Sequence, residues 1–562
     1  MGNVFRRYKL AVFLAWAVTL IGPAALGQTP TGTISGTITD ATKAVLPGAQ
    51  VTITEKATGK TITLVSDDQG RYSVSLLLPG LYSVKVEQPG FATEVLDNLT
   101  VSAGQVANGS IQLQVGRPEQ TVEVVASPVQ VDTVRQTVDT VITASQISQL
   151  PLNGRNFLDL AALAPGVIIR DGESIDPTKA AAYRTVGMLG RSGTGTRVQI
   201  DGIDVTDETV GTTTANISAE AVQEFQLSQS SLDLSTSLTS SGAVSIITKS
   251  GGNDIHGDGF YQFRNQDMGA RLNFNKNVEP FNRHQAGYSV GGPFIKEKLF
   301  WYSNGERTWQ KSVNVLDVPE FPQLTLTTGF PVDIRLLHER LDWNVSPAVR
   351  VFYKFGWDDN LSTGGNGASP FQNVDWTIVH TVGLDFTKSR WTNSYRFGYV
   401  NFNNRIESQE LSLKFPRTSF GLPYSLGVGP FGAGPNSLAP QATYQDNKQH
   451  KYDGTYVWGS HVLRYGVEVN RILLGGFANF AGPLSISGTY DKDTIEQVRR
   501  RGGNLQDPLE FPLENFSTGP NSGFFTIKPA HNLPYGGKLN TRFAWYAGDS
   551  WKALRNLTLN FG

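Results

Sequence analysis

The 562-residue sequence contains no cysteine, so no disulfide framework, thiolate metal site or cysteine nucleophile can be built from it. For the same reason no cysteine-linked lipid anchor is expected. An excess of one charge is also missing: 48 Lys and Arg stand against 49 Asp and Glu, for a net charge of −1. Neither nucleic acid nor a polybasic attachment to a membrane surface is therefore an expected partner. A mean hydropathy of −0.22 argues against a bundle of membrane helices, but not against a barrel whose strands alternate apolar and polar residues. The seven histidines include no ligand pair at helical or strand spacing, and His256, His284, His380 and His461 read as wall or turn residues. There is no HExxH, no Ser/His/Asp arrangement and no phosphate-binding glycine loop after a strand. No catalytic site, metal or cofactor is expected, and the chain does not read as an enzyme.

What is abundant is glycine (59) and aromatic residues (30 Phe, 18 Tyr, 10 Trp), the material of strands and turns in a bacterial envelope protein. The length is too great for one core. Residues 1–27 read as a secretory signal: Arg6, Arg7 and Lys9, then an apolar run from Leu10 to Ile21, then Ala25-Leu26-Gly27. That run is shorter than the roughly 18 residues that a spanning helix needs.

Residues 31–115 form an all-β module. Its candidate strands are Gly32–Thr39, Ala49–Thr54, Thr61–Val65, Arg71–Leu76, Leu81–Val86 and Ser110–Val115, punctuated by Asp67-Asp68-Gln69-Gly70, Pro79-Gly80 and Pro89-Gly90. Residues 119–128, with Val122, Glu123, Val124, Val125 and Ala126 at their centre, are a strand former fenced by Pro118 and Pro128. By its residues alone this stretch is the last strand of the module, a linker, or a strand offered to a partner.

Residues 129–253 alternate short strands and helical turns. Val138–Ile142 is a strand, Thr143 caps a helix through Leu150, and Phe157, Leu158, Leu160 and Leu163 form a core face. Val198, Ile200 and Ile203 alternate with Arg197, Gln199 and Asp201 into an Asp201-Gly202 turn. Ser218 caps a turn before Val222, Phe225 and Leu227, and Gly242–Lys249 is a further strand. Asp201, Asp204, Asp207 and Glu208 cluster without the spacing of a calcium loop, so hairpin-turn chemistry is expected of them.

Residues 254–562 contain eleven candidate strands: Gly259–Asn265, His284–Gly292, Lys298–Glu306, Asp333–Asn344, Ala348–Trp357, Asp375–Thr387, Trp391–Phe402, Lys451–Trp458, His461–Arg471, Arg542–Trp551 and Asn556–Gly562. The connections alternate between tight turns, such as Lys388-Ser389-Arg390, and long loops, as an outer-membrane barrel requires with turns on the periplasmic side and loops outside.

Three phrases carry a family resemblance. SGTITDATKAVLPGAQVTIT, with QGRYSVSLLLPGLYSVKVEQPGF after it, resembles carboxypeptidase regulatory-like domains, an immunoglobulin-like sandwich without peptidase activity. The order of Thr196–Asn253, ending in VSIITKSGGN, resembles the end of the plug domain of TonB-dependent outer-membrane receptors. LPLNGRNFLDLAALAPGV is similar to the branch called Oar-like. The resemblance implies a mainly β chain: sandwich, small αβ plug (129–253) and part of an antiparallel transmembrane β-barrel (254–562), in the cell outer membrane.

It further implies that Val122–Ala126 form a TonB box, captured by the inner-membrane-anchored partner TonB through strand addition. The cargo would be a bulky extracellular nutrient, an oligosaccharide or similar, imported at the expense of the proton gradient. Gln226-Leu227-Ser228-Gln229-Ser230 stand where many family plugs have an Arg-Gly-Pro segment, which weakens the analogy to siderophore transport. The alternative function is an adhesin or surface-assembly protein displaying residues 403–449 and 472–541. Single-chain bacterial barrels have even strand numbers, about 22 in plugged transporters, so roughly eleven further strands are expected beyond residue 562.

Overall fold

The computed structural model describes residues 31–562 except 117–120, 126–137, 151, 173–178, 181, 231–235, 237–238, 270–278, 317–325, 367, 410–416, 421–430, 435, 437, 479–484, 489–491, 506–509, 518–536 and 555–556. The signal expected over 1–27, and Ala126, lie outside the described residues.

The first strands are β1 (Gly32–Asp40), β2 (Gln50–Glu55), β3 (Thr61–Val65), β4 (Arg71–Leu77), β5 (Gly80–Glu87), β6 (Thr93–Val101), β7 (Val106–Asn108), β8 (Ile111–Leu113) and β9 (Thr121–Val125). They make two sheets: β1 between β4 and β7 and also pairing β8, facing β3-β2-β5-β6-β9. Alternation dictates the core between them, because every second residue points inward. Ile34, Ile38, Val51, Val84 and Val86 are all fully buried, with Tyr72 and Tyr82 beside them. Strand β6 is absent from the sequence expectations. Its alternation breaks where Asp97 and Asn98 oppose a single residue of β5, a bulge with Asn98 at φ 57°.

The second group comprises β10 (Val138–Thr143), β11 (Val167–Asp171), β12 (Arg184–Met188), β13 (Thr196–Ile200), β14 (Ile203–Asp204), β15 (Val222–Ser230) and β16 (Gly242–Thr248). The main sheet runs β10-β15-β16-β13-β14, with β13 and β16 parallel. A helix over Ala144–Gln149 follows the cap residue Thr143, whose N–H donates to Gln146 Oε1 at 2.9 Å. Phe157, Leu158 and Leu160 are fully buried, but Leu163 is 49% exposed, contrary to its expected place on the core face. It is the last residue of the short helical turn, whose buried face is Phe157, Leu158, Leu160 and Ala161. All seven residues of β16 are buried, and the core around it takes in Val379 and Val400 from strands further along the chain.

Those later strands begin with β17 (His256–Asn265), β18 (Phe281–Ile295), β19 (Leu299–Leu316), β20 (Leu326–Gly329), β21 (Val332–Ser346), β22 (Val349–Asn366), β23 (Ser369–Lys388) and β24 (Trp391–Ser408). Next come β25 (Arg417–Phe420), β26 (Phe431–Ala433), β27 (Gln441–Trp458), β28 (His461–Ala478), β29 (Ser485–Gly488), β30 (Leu513–Ser517), β31 (Gly537–Leu554) and β32 (Leu557–Phe561). A continuous antiparallel wall follows chain order, β17-β18-β19-β21-β22-β23-β24-β27-β28-β31-β32, with β20 added to β19. It is part of a barrel: β17 and β32, at the two ends, do not pair with one another among the described residues. The wall contains all eleven anticipated strands, but most run further outward; β27 begins at Gln441 rather than Lys451. The added stretch, Gln-Ala-Thr-Tyr-Gln-Asp-Asn-Lys-Gln-His, is polar on both faces and so carries no alternation to read.

Side-chain parity sorts the wall. On β22, Arg350, Phe352, Lys354 and Asp358 point inward and are buried, while Tyr353 faces out at 40% exposure. Trp301, Trp343, Trp391, Trp458 and Trp551 stand close to the tight turns on the outer face, as interfacial aromatics do. Two long loops meet beyond the opposite rim, where β25 and β29 pair in parallel within the four-stranded sheet β26-β25-β29-β30.

Candidate functional site

Thr121-Val-Glu-Val-Val has the β-branched alternation of a strand, and the structure places it as β9, the terminal strand of the five-stranded sandwich sheet. It runs parallel to β6 from Thr93↔Thr121 to Asp97↔Val125. Val122, Glu123, Val124 and Val125 thus lie at a sheet edge upstream of β10.

The β13–β14 turn forms a contact between the middle group and the wall. Asp201 takes φ 50° and Gly202 φ 84°, which aims the Asp201 carboxylate into the interior. One carboxylate oxygen accepts the Thr248 N–H at 3.0 Å, and the other accepts Thr248 Oγ1 at 2.8 Å and Lys354 Nζ at 2.7 Å. Arg340 Nη1 lies 3.5 Å away. Burial alone would raise this carboxyl, but Lys354, Arg340 and the Thr248 N–H together hold it well below the usual carboxylate range. The ionic chain continues outward from the turn: Arg340 pairs with Asp342 at 2.8 Å, Asp342 with Arg350 at 2.8 Å, and Arg350 lies 3.6 Å from Glu55 of the sandwich.

Of the other three acids, Asp204 and Asp207 accept turn N–H groups as expected, Glu208 does not, and all three meet bases. Asp204 Oδ1 accepts the Thr206 N–H at 2.9 Å while Oδ2 faces Arg197 at 3.6 Å. Asp207 Oδ1 accepts the Thr209 N–H at 2.7 Å, and Oδ2 pairs with the buried Lys179. Glu208 binds Arg197 at 2.6 Å and pairs with Arg542 of β31. Among the described residues no three His, Asp or Glu side chains are grouped as metal ligands.

Further contacts close the seam. Asn216 donates its backbone N–H to Asp358 at 2.9 Å, Thr377 Oγ1 donates to the Thr214 carbonyl at 2.5 Å, and Gln449 Oε1 accepts the Asp204 N–H at 2.8 Å. Ser218, the expected turn cap, accepts the Glu220 N–H at 3.2 Å and donates to Glu306 of the wall at 2.5 Å. Arg155, within the LNGRN phrase, binds Glu220 at 2.8 Å and lies 3.7 Å from Glu306. The seam leaves a cavity of about 10 Å³ beside Asn216, His338, Lys354 and Asp358, room for a single water and not for a nutrient.

The sandwich docks below. Glu224 of β15 accepts the Ala103 N–H at 2.6 Å, and Asn253 donates its N–H to the Ala57 carbonyl at 2.9 Å. Burial pushes the Glu224 carboxyl up to about 7, against the opposing pull of the Ala103 and Ser102 hydrogen bonds. The sequence reading missed Arg155, Glu224, Glu306, Arg340, Arg350 and Lys354. For Glu306, Arg340, Arg350 and Lys354 the one signal was charge on the inward face of wall strands, which does not name a partner; Arg155 and Glu224 lie in the middle group and carried no such signal.

Comparison with known proteins agrees with this architecture. Residues 33–114 match the carboxypeptidase regulatory-like domain, and residues 247–334 and 330–562 match the outer membrane beta barrel domain. The TonB-dependent transporter Oar of Myxococcus xanthus is 25% identical over 307 residues, covering 50% of this chain and 27% of its own length. The outer membrane transporter YddB of Escherichia coli superimposes with a TM-score of 0.54 at 12% identity, over 75% of this chain and 55% of that one. The chain thus spans about half the length of the solved transporter and about a quarter of the curated one. It belongs to the outer membrane beta barrel domain family, with a carboxypeptidase regulatory-like domain on the N-terminal side of the barrel.

Proposed function

We propose that this chain works as an energised importer, with residues 129–253 as the plug, Val122–Ala126 as the segment captured by TonB, and a bulky nutrient as cargo. The observation that carries the reading is the polar seam. Asp201, Asp204, Glu208 and Ser218 are tied to the wall by ion pairs and hydrogen bonds, beside an apolar contact through Val379 and Val400. Such a contact seals the lumen yet separates into groups that water solvates well, so pulling costs less than tearing apart an apolar core. Ligand would bind at the outer loops, where the β26-β25-β29-β30 sheet gives a folded surface. A two-loop surface suits an extended ligand such as an oligosaccharide better than a compact iron chelate. Work done by TonB on the segment near Val124 would then displace the plug.

The same loop sheet favours a second reading, in which the ordered outer surface is itself the product and the protein is an adhesin. Replacing Val124 and Val125 by proline removes two N–H donors from β9 and separates the readings. An importer loses growth on its nutrient when that nutrient is limiting, while adhesion and outer-membrane abundance persist. Uptake unchanged by the double proline substitution removes the importer reading.

A further inference from the structure

We propose that the sandwich is a clamp on the plug: the tip between β2 and β3 pins the joint where residues 129–253 pass into the wall, so the plug moves only after the sandwich lets go. This rests on the reading of residues 129–253 as a plug that is displaced, and adds a lock to it. The joint is Ser250-Gly251-Gly252-Asn253, between β16 and β17. Two successive glycines make it the natural hinge of the connection, since neither restricts the backbone as a side chain would. The wall already packs against it: a Cβ at Gly251 would overlap the Trp301 carbonyl, and Asn253 Oδ1 accepts the Glu297 N–H at 2.6 Å.

The β2–β3 tip covers this hinge. The Ala57 carbonyl accepts the Asn253 N–H at 2.9 Å, and a Cβ at Gly252 would lie 3.0 Å from the same carbonyl oxygen. At the base of the tip the Glu55 carboxylate, buried and bonded by Thr58 Oγ1 at 2.6 Å, faces Arg350 of the wall at 3.6 Å. Arg350 is itself buried, so losing that carboxylate leaves part of its charge unanswered. The β6–β7 turn makes a second contact, through the Ala103 N–H and Glu224 of β15, the strand between β10 and β16. Cross-strand partners Glu55↔Tyr82 and Gly80↔Val101 put both tips at one end of one sheet. A plug that turns about Gly251-Gly252 carries Glu224 away from a sandwich pinned at Asn253, and so cannot keep both contacts.

Amide hydrogen exchange on the purified full chain tests the clamp, and needs neither nutrient nor TonB. In the cysteine-free background, Ala57→Cys with Gly252→Cys brings the two Cβ atoms to 3.8 Å, the separation that a disulfide takes. Oxidation should slow exchange at least threefold in Val138–Thr143 and Thr196–Ile200, plug strands away from the new bond, and reductant should reverse it. Glu55→Lys, which sets a cation against Arg350, should speed exchange in the same strands at least threefold, and the disulfide in that chain should cancel the gain. An oxidised chain whose plug strands slow less than threefold overturns the inference. So does Glu55→Lys that leaves them less than threefold faster while β2 and β5 exchange as before. If β2 and β5 themselves exchange faster in Glu55→Lys, the sandwich has loosened internally and the disulfide pair decides alone. A clamp that passes in a chain whose uptake survives proline at Val124 and Val125 stands, and only the importer reading falls.

Discussion

Lys354 shows most plainly how single residues hold the plug. It sits 2% exposed on the inward face of β22 and gives its ammonium to Asp201 at 2.7 Å. Lys354→Met strands a buried carboxylate beside Arg340 alone, and breaking such a pair costs about 3–5 kcal/mol. The expected outcome is faster amide exchange in Thr196–Ile200 and Gly242–Thr248, with the rest of the wall unchanged. Asp201→Asn combined with Lys354→Met should recover most of the loss, because no unpaired charge remains.

Glu224 adds a dependence on pH. Its carboxyl rises from an ordinary 4.5 to about 7 in the docked state, so docking favours the protonated form. The stabilisation is fully present below about pH 4.5 and is lost as the pH rises through 7. Exchange of the Ala103 amide should accelerate between pH 5 and 8 beyond its intrinsic base dependence, and Glu224→Gln should remove that excess. An excess that persists in Glu224→Gln would assign the dependence to another group.

Among the elements, those with regular periodicity were readable in the sequence and those set by tertiary partners were not. The wall strands were legible because Val349, Val351, Tyr353 and Phe355 alternate with Arg350, Phe352 and Lys354 between a tight turn and a long loop. Strand β6 was not, since the bulge at Asp97-Asn98 shifts its inward residues from one parity to the other. Strand β16 was found as a strand, but not as one buried on both faces, because its second face meets chain that lies far away in sequence. The seam was the least legible part. Asp201 and Lys354 are 153 residues apart, and no local pattern couples them.

Ile246 is fully buried at the centre of β16, and Ile246→Ala should cost about 2–5 kcal/mol of plug stability, read by denaturant midpoint. The sandwich, by contrast, has its own core in Ile34, Ile38, Val51, Val84 and Val86. Residues 31–115 expressed alone should give dispersed amide signals in solution; a collapsed, undispersed spectrum would mean that the sandwich needs the plug to fold.

At the scale of the molecule, a sandwich on the periplasmic side, a polar-seamed middle group and an aromatic-belted wall form one mechanical series. The inward-facing charges, Arg340, Asp342, Arg350, Lys354 and Asp358, are buried and belong to the seam. The series has a purpose only if something pulls on its periplasmic end. A photo-activatable amino acid at position 123, in living cells, tests that claim most directly. An energised receptor gives a covalent adduct between this chain and TonB, stronger when the nutrient is present and abolished by proline at Val124 and Val125. A chain that reaches the outer membrane, takes up its nutrient and yet never forms that adduct would contradict the capture of β9.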